Sequence, residues 1–78
     1  MPTALRSGPY RFFFYSSDRF EPPHVHVERD DGIAKFWLSP VRLESSDGLS
    51  RVELARIARL LGENQNALLE AWHDFFDD

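Results

Sequence analysis

The stretch from His24 to Leu38 does most to limit what this chain can fold into. Two runs of alternating apolar and polar residues, HVHVER and IAKFWL, flank Asp31-Gly32, and the first follows the double proline Pro22-Pro23. Alternation at every second residue sends one set of side chains to each face of a strand. Consecutive prolines exclude helix and favour extended backbone just before the run. Asp-Gly suits a two-residue hairpin turn that needs positive φ at both central positions. The centre of the chain is therefore expected to be an antiparallel hairpin. Counting outward from Asp31-Gly32 sets Asp30 against Ile33, Arg29 against Ala34, Glu28 against Lys35, Val27 against Phe36, His26 against Trp37 and Val25 against Leu38. Two apolar pairs then share one face, while an ion pair and a histidine–indole pair share the other.

The flanking sequence extends the sheet. YRFFFY, Tyr10 to Tyr15, lies between Gly8-Pro9 and Ser16-Ser17-Asp18 and reads as a strand. Pro40 stops the IAKFWL strand, and Val41-Arg42-Leu43 offers a short further one before a loop from Glu44 to Leu49. The period then changes. Ser50-Arg51-Val52-Glu53 is a capping box, and Leu54, Ile57, Leu61, Leu68, Trp72 and Phe75 follow as one stripe of an amphipathic helix. Gly62 and Asn64 weaken that helix, which predicts a bend or a division into two near Gly62. The expected fold is a single α+β domain over residues 1–78: a three- or four-stranded antiparallel sheet, βββ(β), with one long C-terminal helix packed on one face. Val25, Val27, Phe36 and Leu38 should meet Leu54, Ile57, Leu61, Leu68 and Trp72. The other face would carry His24, His26, Glu28, Lys35 and Trp37, joined by Arg11, Phe13 and Tyr15 if Phe12 and Phe14 point inward.

Composition narrows the function classes. There is no cysteine, so disulfides and thiolate metal sites are excluded and any metal would need imidazole or oxygen ligands. With 13 acidic and 9 basic residues the net charge is -4, so RNA would have to be met against an unfavourable overall field. The opening MPTALRSGPYRF lacks a charged leader followed by a long apolar run, and no membrane-length apolar segment follows. The expectation is a cytoplasmic protein without membrane contact. Gly-rich phosphate loops, HEXXH and serine-elbow motifs are missing.

Two of the three histidines, His24 and His26, stand two apart in EPPHVHVE. On one strand face they could act as an acid–base pair near neutral pH, as metal ligands, or as packing and contact groups. Glu28 and His73 are the available further ligands, which leaves a metal site short of assured donors; no metal and no cofactor are assigned. His73 suits a helix C-terminal capping role. Arg51, Arg56 and Arg59 read as solvated helix faces beside Glu53 and Glu63. Arg19, just upstream of His24, could join Lys35 in a phosphate-binding corner beside the imidazoles.

FYSSDRFEPPHVHVE, AKFWLSPVRLE and ELARIARLLGENQNALLEAWHDFF together resemble a bacterial family of small proteins known as domain of unknown function forty-one sixty. The resemblance runs from about Arg11 to Phe76. It implies a two-gene setting, beside a second small family (twenty-four forty-two), of the toxin–antitoxin kind. Glu21, Pro22, Pro23, His24 and His26 match the family phrase, as do Lys35, Phe36, Trp37 and Leu38. The leading expectation is a toxin–antitoxin component that binds a cognate small protein encoded nearby, through a face built on His24, His26, Trp37, Lys35 and Arg19. The second is a ribonuclease-like toxin with His24 and His26 as base and acid. The third is a metal-binding regulator. The uncovered face and the sheet edge also make a homodimer an option.

Overall fold

A computed structural model describes residues 3–76 of the chain. The expected α+β class is observed, with more strands than the pattern predicts and with the C-terminal helix divided into two. Strands β1 (Thr3–Ser7), β2 (Tyr10–Phe13), β3 (His24–Arg29), β4 (Gly32–Leu38) and β5 (Val41–Asp47) form one antiparallel sheet in sequential order, followed by helices α1 (Arg51–Glu63) and α2 (Gln65–Phe76). A 3-10 turn, Ser16–Phe20, joins β2 to β3.

Strand β1 is the unpredicted one. It folds back on β2 through Gly8, whose φ of 56° suits the tight turn that brings Ser7 opposite Tyr10. Strand β5 is seven residues long and continues through the polar Glu44–Asp47 segment expected to be loop. As an edge strand it needs a ladder partner on one side only, and β4 supplies it.

The central hairpin forms, but its register differs from the count made on Asp31-Gly32. Val27 pairs with Ala34, Val25 with Phe36, His26 with Lys35 and His24 with Trp37. The turn residues are Asp30 and Asp31, with Asp30 at a φ of 51°. Gly32 belongs to β4 and serves a different need. A Cβ there would come within 2.6 Å of Leu49 Cδ2 and 2.8 Å of the Gly48 carbonyl oxygen, so the loop before α1 can cross only over a glycine. Because the slip is two residues, every side chain keeps its expected face.

One face is covered by both helices. Phe12, Val25, Val27, Leu38, Ile57 and Leu61 are wholly buried, with Phe14, Phe36, Leu68 and Trp72 completing the core. Phe12 and Phe14 do point inward, which leaves Phe13 on the opposite face. The predicted capping box opens α1: Ser50 Oγ accepts from the Glu53 N–H at 3.1 Å, and Glu53 Oε1 accepts from the Ser50 N–H at 3.3 Å. The stripe divides at Asn64, whose backbone and side-chain N–H groups both donate to the Leu60 carbonyl. That break turns the chain so that α1 lies against β5 while α2 reaches β4 and β1. Gln65 Nε2 donates to the Leu38 carbonyl at 2.7 Å and ties the start of α2 to the end of β4.

Candidate functional site

The histidines of β3 are brought to one carboxylate. The turn Ser16–Phe20 folds back over the start of β3, where Asp18 Oδ2 accepts the Tyr15 N–H at 2.8 Å and the Asp18 N–H reaches the Tyr15 carbonyl at 3.0 Å. These bonds aim the Asp18 side chain at the strand. Its Oδ1 lies 3.0 Å from His24 Nε2 and its Oδ2 3.0 Å from His26 Nε2. The double proline holds the other side. Pro22 presents its carbonyl to His24 Nδ1 at 2.9 Å, and the Pro23 carbonyl accepts the Leu38 N–H at 3.0 Å.

The two imidazoles differ in surroundings. His24 is 0% exposed, enclosed by Trp37 and by Trp72 of α2, with ring centroids 5.6 and 5.2 Å away. The expectation that both histidines lie on an open face therefore holds for His26 and fails for His24, because the 3-10 turn and the end of α2 close over the first residue of the strand. His26 retains a partly exposed side chain, stacked on Phe13 and met edge-on by Tyr15 at 4.6 Å. Burial holds the His26 pKa below its ordinary value and outweighs the pull of Asp18 in the other direction. For Asp18, burial pushes the carboxyl up, but the Tyr15 N–H and the His26 imidazole outweigh it and hold the group below the usual carboxylate value. The pair thus favours neutral His26 beside ionised Asp18.

The other residues singled out by sequence take up supporting positions. Lys35 Nζ binds Glu21 Oε1 at 2.6 Å and lies over the Trp37 ring at 4.9 Å. The Lys35 ammonium in turn holds the Glu21 carboxyl below its ordinary value. Trp37 Nε1–H donates to Glu44 Oε1 at 3.0 Å. Arg19 is exposed on the turn beside Asp18. Neither further ligand considered from sequence joins the histidines: Glu28 is paired with Arg11 at 2.6 Å, and His73 is exposed in the last turn of α2. The expected Glu28–Lys35 pair is replaced by Arg11–Glu28 and Lys35–Glu21, a consequence of the register.

Asp18 is the residue that sequence reasoning missed. Among the described residues, Asp18, His24 and His26 form a group whose donor atoms all lie within 4.8 Å of one another. The available signal was the pair of prolines, which stiffens the short link between a carboxylate and the strand.

Beside His26 the open face forms a shallow hollow of about 310 Å³, lined by Phe13, Tyr15, His26, Ile33, Lys35 and Ser45 among others. Ile33 is 54% and Tyr15 41% exposed. Among the described residues, no helix is long and apolar enough to cross a membrane.

No curated protein and no solved structure matches the chain significantly. The model of one family matches residues 10–73, which span the sheet from β2 onward and nearly all of both helices, so the chain belongs to the family described as Domain of unknown function (DUF4160).

Proposed function

We propose that the chain is the binding component of a two-protein module of the toxin–antitoxin kind, and that it docks a small cognate protein on the open face of its sheet. The observation that supports this reading is the apolar hollow beside His26, on the face that the helices leave uncovered. Exposed Ile33 and Tyr15 offer anchors there, each worth about 1.5–3 kcal/mol when fully buried. Arg11, Glu28, Lys35 and Glu21 surround them as a charged rim, an arrangement typical of protein interfaces.

Acid–base cleavage of RNA by His24 and His26 draws less support. His24 has no exposed surface with which to meet a phosphodiester, and Lys35 is engaged by Glu21. The net charge of -4 also opposes a polyanion.

The test is co-expression of the full chain with the protein encoded beside it, followed by co-purification and a binding titration. A stoichiometric complex that Ile33→Asp and Tyr15→Ala each weaken by about tenfold or more supports the reading. No complex, or one indifferent to both substitutions, contradicts it. Sedimentation of the chain alone shows whether a second copy occupies the same face; self-association abolished by Ile33→Asp would replace the cognate protein with a homodimer.

A further inference from the structure

We propose that Asp18, His24 and His26 form a binding site for one divalent transition cation of the zinc type. The site stands apart from the docking role proposed above and does not depend on it.

His24 has one ring nitrogen satisfied and one buried without a hydrogen bond. Its Nδ1 faces the Pro22 carbonyl oxygen at 2.9 Å, and a carbonyl only accepts, so the ring proton belongs on Nδ1. In the neutral ring Nε2 then carries a lone pair. That atom is buried without a hydrogen-bond partner among the described residues, and Asp18 Oδ1 stands 3.0 Å away, off the line a hydrogen bond requires. A buried lone pair beside a carboxylate is unfavourable unless positive charge lies between them. A metal ion meets that need.

The surroundings match a metal site in three further respects. A ligating histidine usually gives its second N–H to a carbonyl or carboxylate, which sets the tautomer, and His24 does so toward Pro22. The Asp18 carboxylate is itself oriented by the Tyr15 N–H. The donors lie within 4.8 Å of one another, so small side-chain rotations, with the His26 ring proton moved from Nε2 to Nδ1, bring all three to the ~2.0–2.2 Å bonds of a zinc-type ion. Two imidazoles and one carboxylate suit zinc, cobalt or nickel better than calcium or magnesium, which prefer all-oxygen shells. Side-chain exposure is 0% at His24, 10% at Asp18 and 19% at His26, so the site is closed at its His24 side and opens past His26 toward the hollow. Three protein ligands with one open direction is the pattern of a site that can accept a water or an outside group as its fourth ligand.

The competing account places a proton on His24 Nε2, giving an imidazolium paired with Asp18 and no metal. Titration calorimetry separates the two, using the full chain purified without a histidine tag, stripped with chelator and titrated with zinc chloride. The expected result is one zinc per chain with micromolar or tighter affinity. Asp18→Asn and His26→Ala should each weaken it at least tenfold, while Glu63→Gln, an exposed carboxylate near the end of α1, leaves it unchanged. Circular dichroism verifies that both variants fold. Zinc should also raise the unfolding midpoint of the unsubstituted chain and not that of His26→Ala. Uptake of less than half an equivalent at about 100 μM zinc, or equal binding by Asp18→Asn and His26→Ala, overturns the proposal.

Discussion

The two faces of one sheet are built from the same alternating strands and end up with different physical jobs. On the helix side, Phe12, Val25, Val27, Phe36 and Leu38 meet Ile57, Leu61, Leu68 and Trp72 in a continuous apolar layer. On the open side, apolar rings are interleaved with charges: Arg11 lies 4.5 Å over Phe13, Lys35 covers Trp37, and Glu28 and Glu21 neutralise the two cations. Long cationic side chains laid along aromatic rings shield apolar surface while keeping their charges wet. Stability comes from the covered face, where burial is complete; the open face contributes chemistry and contact at small cost to the fold.

Substitutions can break that division. On the covered side Phe36→Ala should remove about 3–5 kcal/mol, a large share of the stability of so small a domain. Urea unfolding measures it, and a loss below about 1 kcal/mol would mean that the helix-side layer is not the main source of stability. Gly32→Ala comes next. The Leu49 side chain and Gly48 carbonyl must shift to admit a methyl group, at about 1–3 kcal/mol. The same change at Gly62, where nothing lies within 4 Å of an added Cβ, should instead stabilise by about 0.5–1 kcal/mol through helix propensity. Opposite signs at the two glycines would sharpen the account of why the hairpin turn avoids Gly32. On the open side, Ile33→Asp should change stability by no more than about 0.5 kcal/mol while disrupting partner binding. Equal stability losses from Phe36→Ala and Ile33→Asp would erase the contrast between the faces.

The smallest effect concerns the start of α1. The Ser50 N–H, with help from Arg29, holds the Glu53 carboxyl below its ordinary value of 4.5. A folded-state pKa below the unfolded one gives stability that is fully present above pH 4.5 and is lost as pH falls through the lower folded value. Glu53→Gln should flatten that acid limb slightly, as read from unfolding midpoints across the range.

The face assignment was legible because it depends only on parity. A strand alternates with period two, so even a register displaced by two residues left His26, Lys35 and Trp37 on one side and Val25, Val27 and Phe36 on the other. The register itself was not legible. Asp31-Gly32 has the composition of a turn, but Gly32 is taken by the close crossing of Gly48 and Leu49, a contact between segments far apart in sequence. Strand β1 escaped notice because TALRS has neither aromatic residues nor a clean alternation; it becomes a strand by pairing with β2. The end of β5 escaped for a similar reason, since Glu44 to Asp47 are polar and exposed and only β4 holds them in line. At the helix, local chemistry sufficed: Ser50 and Glu53 cap as their spacing requires, and Asn64 divides the stripe within two residues of Gly62.

At the candidate site, the histidine pair could be seen in EPPHVHVE and its third member could not. Asp18 sits in a stretch whose residues read as loop, and only the folded 3-10 turn shows that it reaches both rings. This also separates two histidines that looked equivalent. His24 is the buried anchor, oriented by Pro22, and His26 is the partly exposed neighbour that adjoins the hollow. The site therefore joins the two faces of the comparison, since one of its rings touches Trp72 of the covered side and the other lies on the open side.

The proposed three-donor site of Asp18, His24 and His26 lies at this junction. Nitrogen NMR of the imidazole rings, recorded on the full chain before and after one equivalent of zinc, decides whether the three donors share one ion. Both Nε2 resonances should shift to metal-bound values while His24 Nδ1 keeps its proton directed at the Pro22 carbonyl. Unchanged ring nitrogens, or a His24 protonated at both nitrogens in the presence of zinc, would contradict the shared site.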